Sequence, residues 1–69
     1  MVLRNRVKEL RAKYNMTQGV LAESVNVTRQ TIVSLEKGSY IPSLLLAMNI
    51  AHTFTLPIEE IFFLEEDEK

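Results

Sequence analysis

Apolar residues recur every three or four positions along most of the 69-residue chain, which is the spacing of amphipathic helices. Strand-like alternation of apolar and polar residues is scarce. The spacing predicts a first helix from about residue 5 to residue 14 and a third helix that ends at Lys37, before Gly38. Helices 2, 3 and 4 each follow a hydroxyl side chain suited to the N-cap position: Thr17, Thr28 and Ser43.

The last part of the chain predicts one further helix and then an extended end. Pro57 suits the first turn of a helix, and the acidic Glu59 and Glu60 favour the positive end of its dipole. After Phe62 the sequence FLEEDEK is more typical of an extended segment. We therefore predict an all-α fold of five helices in a single domain, residues 1–69.

Residues 17–37 have the spacing of a helix-turn-helix unit. Met16 and Leu21 flank the first threonine cap as a hydrophobic staple, and Val27 and Ile32 flank the second in the same way, eleven residues later. Between the two helices lies Asn26, a residue type that tolerates the left-handed conformation a tight turn requires. Small Ala22 would let the helices approach closely, and Ile32 would fill the angle between them. The pattern predicts two helices that cross at a tight turn.

Helix 3 is predicted to have a polar outer face. At about 100° per residue, Ile32 and Leu35 fall on one side of it, whereas Gln30, Val33 and Ser34 fall on the other. Amide and guanidinium groups make the bidentate contacts that distinguish adenine and guanine in the major groove, and a small apolar group can contact a thymine methyl. A solvated first turn is the alternative explanation of the sequence TRQT, residues 28–31.

Charge divides the chain into a basic body and an acidic end. Residues 1–58 carry seven bases and three acids, a net charge of +4, whereas residues 59–69 have a net charge of −5. The overall charge of −1 therefore leaves nucleic acid open as a partner.

Several classes of function are disfavoured by the composition. There is no Cys, His52 stands alone, and no nucleophile–base pair or phosphate-binding glycine loop is present, so we expect neither an enzyme nor a metal site, and no cofactor. No apolar run approaches the roughly 18 residues of a membrane span, and the N-terminus lacks a secretory signal. We expect a cytoplasmic protein, associated with a prokaryotic nucleoid, that binds no small molecule.

The stretch TQGVLAESVNVTRQTIVSLEKGSYIPSLLLAMNIAHTF resembles the Cro/phage-repressor, or xenobiotic-response-element, type of helix-turn-helix regulator. The chain is most similar to the short single-domain kind, exemplified by the cytolysin repressor. The resemblance implies a five-helix lambda-repressor-like domain that binds double-stranded DNA as a homodimer, usually as a repressor. It also implies a small antiparallel β pairing of the chain ends, with residues 1–3 beside residues 63–65.

The resemblance also implies roles for individual residues. Base readers fall on the start and outer face of helix 3, at Thr28, Arg29, Gln30, Val33 and Ser34. Phosphate contacts fall on Gln18, Thr31 and Lys37. Arg11 and Glu36 match a structural ion pair between helices 1 and 3. The apolar segment 56–65 is expected to form the dimer interface, through Leu56, Ile61, Phe63 and Leu64.

The sequence leaves two readings of function open. The first is a sequence-specific regulator of transcription, a repressor that acts as a homodimer on a palindromic operator. The second is a protein-binding module of the antitoxin kind, which would use exposed apolar residues such as Leu45, Met48, Phe63 and Leu64.

Overall fold

The computed structural model describes residues 1–67 and consists of four α-helices and a two-stranded antiparallel sheet. A single turn of 3-10 helix, Ile58–Glu60, precedes the last strand. The elements in chain order are β1 (Val2–Asn5), α1 (Val7–Lys13), α2 (Gln18–Ser24), α3 (Arg29–Lys37), α4 (Leu44–Phe54) and β2 (Phe62–Glu65).

The expected all-α fold of five helices is wrong. The predicted fifth helix is only the 3-10 turn, which ends before Ile61. The side chain of Ile61 is fully buried in the core, and its carbonyl oxygen accepts a hydrogen bond of 2.9 Å from the backbone N–H of Arg6. These contacts fix the chain beside the N-terminal segment, where the next residues form a strand instead of a second helical turn.

The two chain ends form an antiparallel ribbon of β1 and β2. Its register pairs Val2 with Glu65, Leu3 with Leu64, Arg4 with Phe63 and Asn5 with Phe62. The ribbon therefore lies where the pairing of residues 1–3 with residues 63–65 was expected. Asn5 joins the ribbon to α1 and α3 through its side-chain amide. The Nδ2 atom donates to the carbonyl of Leu35, and the Oδ1 atom accepts from the backbone N–H of Val7.

Three helices begin at the hydroxyl caps that the sequence predicted. Thr17, Thr28 and Ser43 each accept a hydrogen bond from the N–H three residues later, at 3.0, 3.2 and 3.1 Å respectively. These bonds satisfy N–H groups that have no partner within the helix. Helix α3 ends at Gly38, whose φ of 82° is the left-handed conformation that glycine adopts without strain.

The core consists of apolar side chains from α1 to α4 together with Ile61, and no side-chain polar atom buried within residues 1–67 lacks a hydrogen bond. In the first turn of α4, Leu44 is 71% exposed, whereas Leu46 is buried. The buried face centres near Ile50, and Leu44 lies at its edge in the first helical turn, where little of the chain covers it.

Candidate nucleic-acid interface

Helix α3 presents a polar face to solvent and an apolar face to the core. Ile32 and Leu35 are almost completely buried, which anchors the helix. Gln30 and Lys37 are exposed on the opposite side, and Arg29 is exposed in the first turn. The other residues expected to contact DNA from α3, Thr31, Val33 and Ser34, are partly exposed. The predicted contact residues of α3 are therefore all at least partly accessible to solvent.

The start of α3 is fixed by two threonines. Thr28 caps the helix through its bond from the N–H of Thr31, and the two hydroxyl oxygens lie 3.0 Å apart, in hydrogen-bond contact. Because only one hydroxyl proton lies between the two oxygens, the other proton remains available to an outside acceptor. The pair therefore combines a structural role with a donor at the exposed end of the helix.

Gln30 and Ser34 form a second local pair, one turn apart on the outer face. The side-chain amide nitrogen of Gln30 donates to the hydroxyl of Ser34 at 3.3 Å. One amide N–H and the amide oxygen of Gln30 remain for other partners, since a primary amide carries two donors and one acceptor oxygen. This arrangement restricts the orientation of the amide before any ligand is bound.

A largely buried ion pair joins α1 to α3. The Nε and Nη2 atoms of Arg11 donate to the two carboxylate oxygens of Glu36, at 2.6 and 3.0 Å, and its Nη1 donates to the carbonyl of Met16 at 2.9 Å. The side chains of Arg11 and Glu36 are only 14% and 5% exposed. The hydrogen bond to Glu36 raises the pKa of the Arg11 guanidinium above its ordinary value, an effect that partial burial opposes. The two residues assigned as a structural ion pair are therefore in direct bidentate contact.

Gln18 is part of the same network, which sequence reasoning did not foresee. Its side-chain nitrogen donates to Oε1 of Glu36 at 3.2 Å, so Glu36 links the first residue of α2 to both Arg11 and α3. Gln18 was expected only as a phosphate contact. Its bond to Glu36 depends on how α2 and α3 cross, so no local pattern in the sequence could reveal it.

An open groove lies beside this network, between the α1–α2 turn and the start of α3. Its charged lining residues are two arginines, Arg11 and Arg29, and Gln18 also lines it. No acidic side chain of residues 1–67 lines the groove, so its chemistry suits an anion.

The residues expected at a dimer interface lie in different environments. Phe63 is 40% exposed and Leu64 more so, which leaves both accessible to another chain. Leu56 is half-buried and packs against the core. Ile61 is fully buried within the single chain, so the expectation that it contacts a second copy is corrected: it is a core residue.

The outer side of α4 and the loop before it form an exposed apolar surface. Its large side chains are those of Ile41, Leu44, Leu45 and Met48. Residues 38–58 contain no Asp, Glu, Lys or Arg, so none of these charged side chains lies within this segment. It therefore contrasts with the polar outer face of α3.

Two structural checks concern other kinds of site. Among residues 1–67, no group of three or more His, Cys, Asp or Glu side chains is arranged to hold a metal ion. Within the same residues, none of the helices is both long and apolar enough to cross a membrane.

Comparison with known proteins places these features in a family. The helix-turn-helix family model matches residues 7–61. An uncharacterized HTH-type transcriptional regulator of Archaeoglobus fulgidus is 58% identical over 66 residues, which are 96% of this chain and 93% of that protein. The uncharacterized HTH-type transcriptional regulator YgzD of Bacillus subtilis is 51% identical over 65 residues, 94% of this chain and 98% of YgzD.

A solved structure agrees with these relatives. The restriction-modification controller protein C.AhdI from Aeromonas hydrophila superposes with a TM-score of 0.75 at 25% identity, over 80% of this chain and 83% of that one. The chain belongs to the helix-turn-helix family of DNA-binding transcriptional regulators. The resemblance that the sequence suggested is confirmed at this level.

Proposed function

We propose that this protein is a repressor that binds a palindromic operator in double-stranded DNA as a homodimer. Helix α3 enters the major groove and reads base edges, and occupancy of the operator blocks transcription without any chemical step. The protein acts in the prokaryotic cytoplasm, on DNA of the nucleoid. Neither a cofactor nor a small-molecule ligand is needed for this activity.

The observation that carries the proposal is the outer face of α3. It combines a guanidinium, an amide, hydroxyls and a small apolar group on a helix that the core and the Arg11–Glu36 pair hold in place. A rigid helix with such side chains can follow a major groove, because each base pair presents a distinct pattern of donors, acceptors and methyl groups there. A merely solvated face needs no such mixture.

Each base-reading residue suits a particular contact. Arg29 would contact guanine through two N–H groups. Gln30, whose amide is already held by Ser34, has one N–H and one oxygen left, which is what adenine requires at N7 and N6. Val33 would contact a thymine methyl. Thr28 is placed to donate a hydroxyl proton at the start of the helix.

Phosphate contacts would flank the base readers. Lys37 lies at the exposed end of α3, and Thr31 is partly exposed near its start. Gln18 lines the groove that contains Arg29. Contacts of this kind fix the register of a protein on the duplex but carry little sequence information.

Two copies are needed for a palindromic operator. In a dimeric helix-turn-helix protein the recognition helices are about 34 Å apart, one turn of the duplex. The apolar side chains of Phe63 and Leu64 are exposed on the ribbon, and Leu56 lies partly exposed before it. We propose that this surface, within segment 56–65, pairs with its copy.

A second candidate function follows from the apolar surface on α4. Leu44, Leu45 and Met48 are all more than half exposed there, and such a patch is typical of a protein contact. A protein-binding module of the antitoxin kind would use this surface, together with Phe63 and Leu64, as its main site. Purification from the native cell with a second chain at fixed stoichiometry would favour this function.

The test of the DNA-binding proposal starts with selection of bound sites from random duplex DNA. We expect a palindrome with half-sites one helical turn apart. Arg29→Ala and Gln30→Ala should each weaken binding to this site by about 1–3 kcal/mol and relax the preference at one or two base pairs of each half-site. Binding to the selected and a scrambled duplex is then measured at two salt concentrations.

Lys37→Ala serves as the matched control, since it removes a charge from the same helix. As a phosphate contact it should weaken binding to both duplexes alike and reduce the dependence on salt. If the Arg29 and Gln30 variants keep the wild-type preference between the two duplexes, α3 does not read bases. Failure of the wild-type protein to select any site would refute the proposed function itself.

A further inference from the structure

The carboxylate of Glu36 accepts three hydrogen bonds, one more than its contact with Arg11 supplies. Its Oε2 accepts from Arg11, and its Oε1 accepts both from Arg11 and from the side-chain amide of Gln18. Arg11 alone would satisfy the carboxylate geometrically, because a guanidinium binds both oxygens side by side. The third bond therefore fixes the orientation of Gln18, since the carboxylate is already held in place.

The bond leaves Gln18 with unused hydrogen-bonding capacity. A primary amide has two N–H groups and one oxygen, and Glu36 uses one N–H. Within residues 1–67, the second N–H and the oxygen of Gln18 make no hydrogen bond. Gln18 lines the groove that also contains Arg11 and Arg29, and no acidic side chain of residues 1–67 lines it.

The carboxylate of Glu36 can lie beside a site for an anion because Arg11 balances its negative charge. An isolated Glu36 would repel a phosphate, but Arg11 neutralises it at 2.6 Å and the side chain of Glu36 is almost completely buried. The groove then contains the amide of Gln18 and the guanidinium of Arg29, together with Arg11, whose charge Glu36 balances. The carboxylate acts on the ligand only through the residue it holds.

We propose that Glu36 is a positioning residue for DNA binding: it orients the side-chain amide of Gln18 so that the second N–H donates to a phosphate of the operator. The inference rests on the proposed function, because it assigns Gln18 a DNA phosphate. It gives the Arg11–Glu36 pair a role in affinity that is separate from its role in stability. Gln18 is thereby prearranged for binding, with less loss of side-chain freedom when DNA arrives.

The test is a double-mutant cycle on operator affinity, with Gln18→Ala, Glu36→Gln and the double variant. A hydrogen bond to a charged group contributes enough that Gln18→Ala should weaken binding by about tenfold or more. Glu36→Gln replaces one carboxylate oxygen by an NH2 group and removes the negative charge that strengthens the bond from Gln18, so it should cause much of the same loss. Adding Gln18→Ala to it should change the affinity by less than about threefold. Such non-additivity is what coupled residues show.

The control cycle pairs Glu36→Gln with Lys37→Ala, whose effects should add because Lys37 is outside the network. All affinities are measured at a temperature where circular dichroism shows each variant to be folded. If Glu36→Gln does not fold, Glu36→Asp replaces it, since this change keeps the charge near Arg11 but withdraws the carboxylate from Gln18 by one methylene. The same lack of additivity with Gln18→Ala is expected.

Two results would overturn the inference while the DNA-binding function stands. One is full additivity of the Gln18 and Glu36 changes, which would make Glu36 a purely structural residue. The other is unchanged affinity of Gln18→Ala on the selected operator. If the wild-type protein selects no DNA at all, the proposed function fails and the inference fails with it.

Discussion

The helix-turn-helix unit, residues 17–37, and the ribbon of β1 and β2 both contain hydrogen bonds and ion pairs, but the ion pairs differ in their exposure to solvent. In the unit, threonine caps open both helices, and the ion pair between its Glu36 and Arg11 of α1 is largely buried. In the ribbon, Arg4 pairs with Glu65 and the terminal amine pairs with Asp67, and all four groups are more than half exposed. Exposed pairs of this kind contribute little to stability because water and salt screen them.

The difference is one of burial. The buried side-chain polar groups of the unit all have hydrogen-bond partners, which include Arg11 of α1 for Glu36, and its outer face is polar. The ribbon has only two strands and exposes Val2, Phe63 and Leu64. A two-stranded ribbon in isolation is at best marginally stable in water, so this ribbon depends on its contacts with the helices through Asn5 and Phe62. Its exposed apolar side chains are the ones that would form the proposed contact with a second copy. The next four predictions test this contrast.

The largest expected effect is on the ion pair of the unit. Arg11→Met should lower the free energy of unfolding by about 3–5 kcal/mol, because it leaves the buried carboxylate of Glu36 without its partner. Arg4→Met, which removes an arginine from the exposed pair of the ribbon, should lower it by less than about 1 kcal/mol. Denaturant unfolding followed by circular dichroism measures both. Equal losses of unfolding free energy in the two variants would show that the two ion pairs contribute equally to stability, contrary to this prediction.

The next effect concerns assembly. Phe63→Glu should raise the dissociation constant of the homodimer at least about tenfold, because a charge would be placed in an apolar contact of the proposed interface. Sedimentation equilibrium over a range of concentrations measures the change. Tyr40→Glu is the matched control, since Tyr40 is 41% exposed and Phe63 is 40% exposed, but Tyr40 lies in the α3–α4 loop. An unchanged dimer of Phe63→Glu would show that the ribbon is not the interface.

A smaller loss is expected from the cap of α3. Thr28→Ala should destabilise the protein by about 1 kcal/mol, because the N–H of Thr31 loses its side-chain acceptor and keeps only the carbonyl of Thr28. Thr53→Ala is the control: its hydroxyl bonds the Asn49 carbonyl inside α4 and caps nothing. In thermal melts, Thr28→Ala should therefore have a lower melting temperature than Thr53→Ala. If Thr53→Ala costs as much, the cap has no special role.

The smallest effect is a gain, at the residue that leads from α4 toward the ribbon. Thr55 has a φ of 56°, whereas the turn inside the unit is formed by Asn26 with a φ of 62°. A β-branched residue is strained in this conformation, and Asn tolerates it better. Thr55→Asn should therefore raise the free energy of unfolding by up to about 1 kcal/mol. Thr53→Asn, within the helix, should give no gain in the same denaturant titration.

Sequence reasoning succeeded where structure depends on neighbours along the chain. The caps at Thr17 and Thr28, the turn at Asn26 and the stop at Gly38 are each decided by a few adjacent residues. Local hydrogen bonds and backbone preferences are sufficient to produce them. The polar face of α3 could be located for the same reason, since helical periodicity alone separates it from the core.

Contacts between distant segments could not be predicted from local patterns. Pro57 and the acids after it favour a helix, but the burial of Ile61 and its bond to Arg6 end that helix after one 3-10 turn. The exposure of Leu44 depends on where the other helices stop, and the bond between Gln18 and Glu36 depends on how α2 crosses α3. The roles of individual residues toward DNA remain predictions.

The register of the ribbon also has a consequence for the order of folding. The Arg4–Glu65 pair joins residues 61 positions apart, whereas the cap bonds of α2 and α3 span three. Closing so long a loop costs chain entropy before any contact rewards it. We expect the helix-turn-helix unit to form in the folding transition state and the ribbon to close after it. Destabilising substitutions in the ribbon should then accelerate unfolding, whereas destabilising substitutions at the threonine caps should slow folding.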